Sequence, residues 1–206
     1  MSQKYFLPAD QHAVSEQAAA LAALDSRRSV PPKQLGEPGP DAATLLRMLQ
    51  SAVRVPDHGK RVPFRFLSFS GDARHAFGER LAARRRVLEP NASEAVIDKD
   101  RQRFAYAPLV VAVIANLGPD ENIPESERFS SASCVCFALL QAAQALGFAG
   151  IWLTGWLAYD QEVRGWLRLS EFERVVGFVH IGSPKLDVPE RERPDPRDLL
   201  SAWMPA

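Results

Sequence analysis

Seven consecutive apolar residues, Leu109 to Ala115 (LVVAVIA), constrain the fold of this chain more than any other segment. The run is short, largely β-branched and has no polar alternation. It therefore reads as a strand covered on both faces. A second buried strand follows from Val175 to Ile181 (VVGFVHI). Phe64 to Phe69 alternates and is aromatic, which also predicts a strand, and Gly150 to Thr154 gives a short one. Strands covered on both sides need helices to cover them, so the expectation is an α+β domain with a small mixed sheet flanked by helices.

The helices have local signals. Ser15 is placed to cap a helix over Glu16 to Asp25. Asp41 is placed to cap Ala42 to Val53, where Leu45, Leu46, Leu49, Ala52 and Val53 recur at helical spacing. Gly71-Asp72 opens a helix to about Leu88, and Ser93 precedes one through Arg103. The longest runs from Glu125 to Leu146, with Gly147 as its stop. Its middle, Ser130 to Gln144, is small and apolar on most sides, so it must be buried, most economically against a second copy of itself. Gln161 to Leu167 and a short segment near Leu199 to Trp203 complete the helices. Pro31 to Pro40 is too rich in breakers for helix or central strand. The expected organisation is a flexible arm over 1–11, one domain over 12–184 and a C-terminal extension over 185–206.

Composition excludes several classes. Basic and acidic residues balance at 25 each, so no global field draws the chain to nucleic acid or a membrane. The start of the chain lacks a secretory pattern and no run is long enough to span a bilayer, so the expected location is the cytoplasm. The two cysteines, Cys134 and Cys136, point different ways on a helix and read as structural. The four histidines show no metal-ligand spacing, and no metal is expected. The Arg84-Arg85-Arg86 run reads as a solvated helix end.

Three segments can carry chemistry. Arg27-Arg28-Ser29 offers two guanidiniums and a hydroxyl, which suit a phosphate, although basic residues after a helix also simply complement its dipole. Arg54 and His58 flank the rigid Pro56-Asp57 turn, and both donate to carbonyls or anions; a plain helix end with an Asp turn explains them equally. Gly147 to Gly155 has small residues that let a flat ligand approach the backbone, with Trp152 as a wall, or it is a capped helix entering a strand.

In order and spacing, these segments resemble the nitroreductase family, most closely its short YdjA-like branch. The resemblance rests on Arg27-Arg28-Ser29, Arg54-x-Pro56-Asp57-His58, Pro63-Phe64-x-Phe66 and Ala107-Pro108 before the LVVAVIA strand. It continues through Gln141 to Trp152 and Val176-Gly177-Phe178 to Pro184, and spans roughly Leu21 to Pro184. It implies a nitroreductase-like fold, an obligate homodimer with FMN at the subunit interface, NADH or NADPH as reductant, and a small-molecule electron acceptor. Arg27, Arg28 and Ser29 match positions that hold the FMN phosphate and ribityl chain. Arg54 and His58 match positions that reach the same flavin from the partner subunit. Trp152, Leu153 and Thr154 match the stretch along the isoalloxazine. Ala142, Ala143, Gln144, Ala145, Leu146 and Gly147 match a segment associated with NAD(P) binding. The implied mechanism is ping-pong hydride transfer through flavin N5, with no protein acid or base nominated.

The chain departs from the branch in places. Leu153 and Thr154 stand where the branch usually carries arginine and serine, the proline loop is about two residues longer, and the tail extends further. Lys185, Arg191 or Arg193 in that tail can add a phosphate contact. Another flavin enzyme on the same scaffold, or a non-catalytic dimeric flavin-binding protein, fits the same motifs.

Overall fold

A computed structural model describes residues 11–205 of the 206-residue chain, with side chains from residue 18 onward. The expected arm over 1–11 lies outside these residues except for Gln11, which opens the first helix. In chain order the elements are α1 (Gln11–Asp25), β1 (Leu35–Gly36), α2 (Ala42–Ala52), β2 (Phe64–Ser70), α3 (Asp72–Leu88) and α4 (Glu94–Gln102). Then come β3 (Leu109–Asn116), α5 (Glu125–Ala145), β4 (Ala149–Leu153), α6 (Gln161–Trp166) and β5 (Glu173–Pro184). Single 3-10 turns occupy Pro32–Gln34, His58–Lys60, Trp156–Ala158 and Pro196–Asp198.

The sheet runs β1-β5-β3-β2, with β4 also paired to β5. Every pairing between named strands is antiparallel. The parallel component of the expected mixed sheet is confined to one isolated bridge, Ser29 to Gly150. β3 is the centre, and its alternation divides the interior. Leu109, Val111, Val113 and Ala115 pack with Met48 and Ala52 of α2 and with Val135, Cys136 and Leu139 of α5. Val110, Ala112 and Ile114 pack on the other face with Phe77 and Leu81 of α3 and Val163 of α6. The sheet is thus the middle layer of three, and LVVAVIA is apolar throughout because both faces need it. Each valine, leucine or isoleucine of the run contributes about 1.5–3 kcal/mol on burial.

Local chemistry sets several boundaries where expected. The Asp41 carboxylate accepts from Thr44 N at 2.7 Å and starts α2. Asp160 does the same for α6 through Val163 N at 3.1 Å. Other expectations need correction. α1 begins at Gln11, so Ser15 is a helix position and not its cap. No α-helix forms near Leu199 to Trp203; Pro194 and Pro196 leave one 3-10 turn, and Leu199, Leu200 and Trp203 stay exposed. The arginine run is not a solvated end. Arg84 pairs with Asp160 at 2.9 Å, Arg85 with buried Asp100 at 2.6 Å and Arg86 with Glu94 at 3.1 Å, fastening α3 to its neighbours. α5 is only partly enclosed: Val135, Cys136, Leu139 and Ala143 are buried, while Phe129 and Phe137 remain 37% and 45% exposed.

Candidate functional site

The site begins where α5 stops. Gly147 adopts φ 82°, Phe148 N donates to Ala143 O at 2.9 Å and Gly147 N to Gln144 O at 3.0 Å. This pair of bonds closes the helix and turns the chain sharply into β4. The segment after α1 lies alongside, because Ser29 bridges Gly150 and Val30 N donates to Gly150 O at 3.1 Å. Gly150 has no room for a side chain. A Cβ there would lie 2.8 Å from His180 O and 3.0 Å from a Leu140 methyl. Bare backbone therefore sits beside Arg27, Arg28 and Ser29.

A cleft of about 340 Å³ opens between Ser26–Arg28, Gln144, Phe148 and the tail residues Leu186 and Val188. Its chemistry is cationic. Arg27 Nη1 donates to Ser29 Oγ at 3.2 Å. Arg28 donates to Asp25 O at 2.5 Å and to Arg27 O at 2.9 Å, and its guanidinium also pairs with Glu190. Glu190 in turn accepts from Arg193 Nε at 3.3 Å. The Arg27 pKa is held below its ordinary value, first by burial and then by the like charges of Arg193, Arg28 and Arg191. Arg27 and Arg28 line the cleft together with Asp187, Arg191 and Arg193 act on Arg27 from the tail, and Glu190 pairs with Arg28 and Arg193.

The other expected residues fall in three places. Trp152, Leu153 and Thr154 lie at the far end of β4: Trp152 and Leu153 are half-buried and Thr154 is exposed. The Trp152 indole lies on Gly177 and donates to Val176 O at 3.3 Å. In the segment from Ala142 to Gly147, Ala142 and Ala143 face the core, and Ala145, Leu146 and Gly147 are exposed. The Gln144 amide ties α5 to α1 by donating to Ala23 O at 2.9 Å and Ser26 Oγ at 2.8 Å.

Arg54 and His58 lie apart from the arginine cleft. Both are exposed, and no partner among the described residues holds the Arg54 guanidinium. His58 Nδ1 lies 2.7 Å from a Glu127 oxygen. It lines a second cleft of about 320 Å³ with Pro56, Ser126, Glu127, Ser130, Ser131 and Cys134. The Ser131 hydroxyl donates to Pro56 O at 2.8 Å and pins the loop to α5. The two clefts sit at opposite ends of one helix. From Ser130 to Gln144 the rise is roughly 21 Å, beyond the reach of any side chain.

Sequence reasoning missed Glu127, whose link to His58 spans 69 residues, and Glu190, whose carboxylate reaches the Arg28 cleft from the tail. Neither is visible from local spacing. Acid-base alternation in Glu190-Arg191-Glu192-Arg193 was the one available signal for the tail.

A helix-sheet-helix layering around an antiparallel sheet, with an arginine-lined cleft at the start of one strand, defines a nitroreductase-like fold. It is shared with the crystal structure of a nitroreductase-like family protein from Bacillus cereus at TM-score 0.75 and 20% identity, covering 88% of this chain and 94% of that one. It is also shared with a Desulfovibrio desulfuricans structure in complex with FMN, at TM-score 0.69 and 18% identity over 90% and 97% of the two chains. The chain belongs to the nitroreductase family, whose model matches residues 24–183. Its sequence is 34% identical over 167 residues to the Escherichia coli K12 protein named "Putative NAD(P)H nitroreductase YdjA", covering 81% of this chain and 89% of that one.

Proposed function

We propose that this protein is an FMN-dependent NAD(P)H oxidoreductase that reduces a small organic acceptor and works as a symmetric homodimer in the cytoplasm. The observation that carries the reading is the arginine-crowded cleft at the start of β4. Arg27, whose pKa is lowered first by burial and then by the like charges of Arg193, Arg28 and Arg191, sits in a cluster of guanidiniums that suits a doubly charged anion. A phosphate monoester would supply that charge, and Arg27, Arg28 and the Ser29 hydroxyl are the donors that would hold it. Arg191 and Arg193 add field from the tail, and the phosphate competes with Glu190 for Arg28. Gly150 lines the same cleft with its backbone, next to Arg27 and Arg28. Trp152 to Thr154, further along the same strand, give the ring an apolar wall with backbone groups close by.

FMN held there would supply two-electron hydride chemistry between NADH or NADPH and the acceptor. The protein positions it, surrounds it with cations and shields it from water. Ala145 to Gly147, exposed beside the cleft, are the accessible part of the segment assigned to the nicotinamide nucleotide.

The placement of the two clefts supports the dimer. Phe137, exposed on the uncovered side of α5, lies midway between Ser130 and Gln144. A two-fold axis passing near it pairs α5 with its copy and lays the Arg54–His58 cleft of one protomer over the arginine cleft of the other. Arg54, which pairs with no acid among the described residues, then meets an anion. No helix among the described residues is long and apolar enough to cross a membrane, which supports the cytoplasmic assignment.

The test is the visible spectrum of the purified protein. Bound flavin colours it, and anaerobic NADH or NADPH bleaches the colour. Arg27→Ala and Arg28→Ala each weaken FMN binding about tenfold, since each removes a charge-assisted pair. Arg54→Ala and His58→Ala leave the fold intact and also weaken FMN retention. A protein that stays colourless when FMN is supplied, or variants with unchanged affinity, refutes the reading.

A further inference from the structure

Arg128, in the first turn of α5, carries a buried charge that the chain does not balance. The residue is 8% exposed. Its Nη1 donates to Gly118 O, and its Nε is buried with no hydrogen-bond partner. The acids beside it on α5 are engaged elsewhere: Glu125 meets Arg174 and Glu127 meets His58. Asp120, in the loop that leads into α5, meets Arg61. A buried charge is costly unless it is paired and hydrogen-bonded. An orphaned donor on such a group therefore points to a partner from outside the chain.

The space for that partner is present. Arg128 lines a cleft of about 200 Å³ at the end of β3, together with Arg61, Asn116, Pro119 and Asp120. Asn116 Oδ1 accepts from Gly118 N at 3.3 Å, so the amide N–H groups are the part of that side chain left to donate. Arg61 uses Nε on Asp120 at 2.6 Å and Nη1 on Gly59 O at 3.3 Å, which leaves Nη2. Asp120 also accepts from the Asn122 and Ile123 amides at 2.9 and 3.0 Å, so its oxygens are committed. Two guanidiniums against one carboxylate leave a single positive charge in the cleft. We propose that this cleft binds a small monocarboxylate, of formate or acetate size. With Nη1 on Gly118, the edge of Arg128 that remains is Nε and Nη2, two parallel donors that match the two oxygens of a carboxylate. The volume lies below the usual range for larger organic ligands, and one negative charge completes the balance. The bound carboxylate would neutralise Arg128 and fasten the 116–124 loop to the start of α5. The site uses none of the residues assigned to the flavin.

Thermal unfolding of the FMN-loaded protein tests this, with sodium acetate replacing sodium chloride at constant ionic strength. FMN keeps the cleft of Arg27 and Arg28 filled, so the titration reads the other site. Tm rises by roughly 3–6 °C at ten times the acetate Kd. Arg128→Gln abolishes the rise. Arg128→Lys keeps the charge, lacks the fork and weakens acetate about tenfold. Asp120→Asn removes the opposing charge and lowers the half-saturating acetate about threefold, a gain that a folding defect does not produce. If Arg128→Gln does not fold, Arg128→Lys and Asp120→Asn decide the matter. A flat Tm in the wild type overturns the proposal, whether the cleft stays empty or takes chloride equally well, and so does an equal rise in Arg128→Gln. Flavin uptake is scored separately by colour: a protein that stays colourless refutes the flavin reading and is titrated as it stands, with the same variants assigning any rise to Arg128.

Discussion

Gly177→Ala is the sharpest single test of how the fold positions the site. A Cβ at position 177 would fall 1.9 Å from Trp152 Nε1 and 3.1 Å from Leu153 O. The first contact is impossible, so the indole must leave its seat on β5 and give up its bond to Val176 O. Forcing extra volume into a packed site costs typically about 1–3 kcal/mol, and we take about 2 for this one. Trp152→Ala removes a half-buried indole and costs about 2–3 kcal/mol, less than a fully buried ring would. In the double variant the impossible contact is gone, and only the 3.1 Å approach to Leu153 O remains. Gly177→Ala then costs less than about 1 kcal/mol, giving a coupling of about 1–2 kcal/mol that makes the double variant more stable than additivity predicts. Urea unfolding of the four proteins measures the cycle, and FMN fluorescence reports the cofactor side, with weaker binding in every variant. If the two costs simply add, within about 0.5 kcal/mol, Trp152 does not rest on Gly177 and the account of this wall is wrong.

Two further predictions concern buried titratable groups. Burial, with a smaller contribution from Arg103, pushes His180 down to about 3 from an ordinary 6.5, and its Nδ1 has no hydrogen-bond partner. A folded value below the unfolded one contributes stability that is complete above the unfolded pKa. It is lost as pH falls through that window, about 2–3 kcal/mol between about pH 7 and about pH 4.5. Urea unfolding across that range detects it. His180→Leu flattens the slope, and an unchanged slope in that variant refutes the assignment. Burial alone would raise the Asp100 pKa, but hydrogen bonds from Arg85, Trp156 and Arg103 outweigh it and hold the carboxylate ionised. Asp100→Asn keeps the shape, removes the counter-charge of the Arg85 and Arg103 guanidiniums and destabilises by about 3 kcal/mol. A loss under about 1 kcal/mol in chemical unfolding contradicts that role.

Much of the architecture was legible in local pattern, for identifiable reasons. LVVAVIA needs a covered strand because seven apolar side chains in succession leave neither face for water. Asp41 announces α2 because its carboxylate reaches an amide three residues on, and Gly147 announces the end of α5 because its φ of 82° suits glycine. Arg27-Arg28-Ser29 fitted either a phosphate or a helix end from its residues, and the resemblance to the nitroreductase family is what implied the phosphate role. These features depend on neighbours within a turn or two, which sequence order reports directly.

Other features depend on pairs far apart in the chain, where order says nothing about distance. The arginines of α3 looked like a solvated end, yet Arg84 and Arg85 meet Asp160 and Asp100. Glu127 meets His58, and Glu190 returns from the tail to Arg28. The mobility of a helix end or tail in water and its capture by a distant opposite charge read the same along the chain; folding alone settles which occurs. The same holds for the two clefts at opposite ends of α5. Their separation along a rigid helix, set by backbone geometry, is what divides one set of site residues from the other.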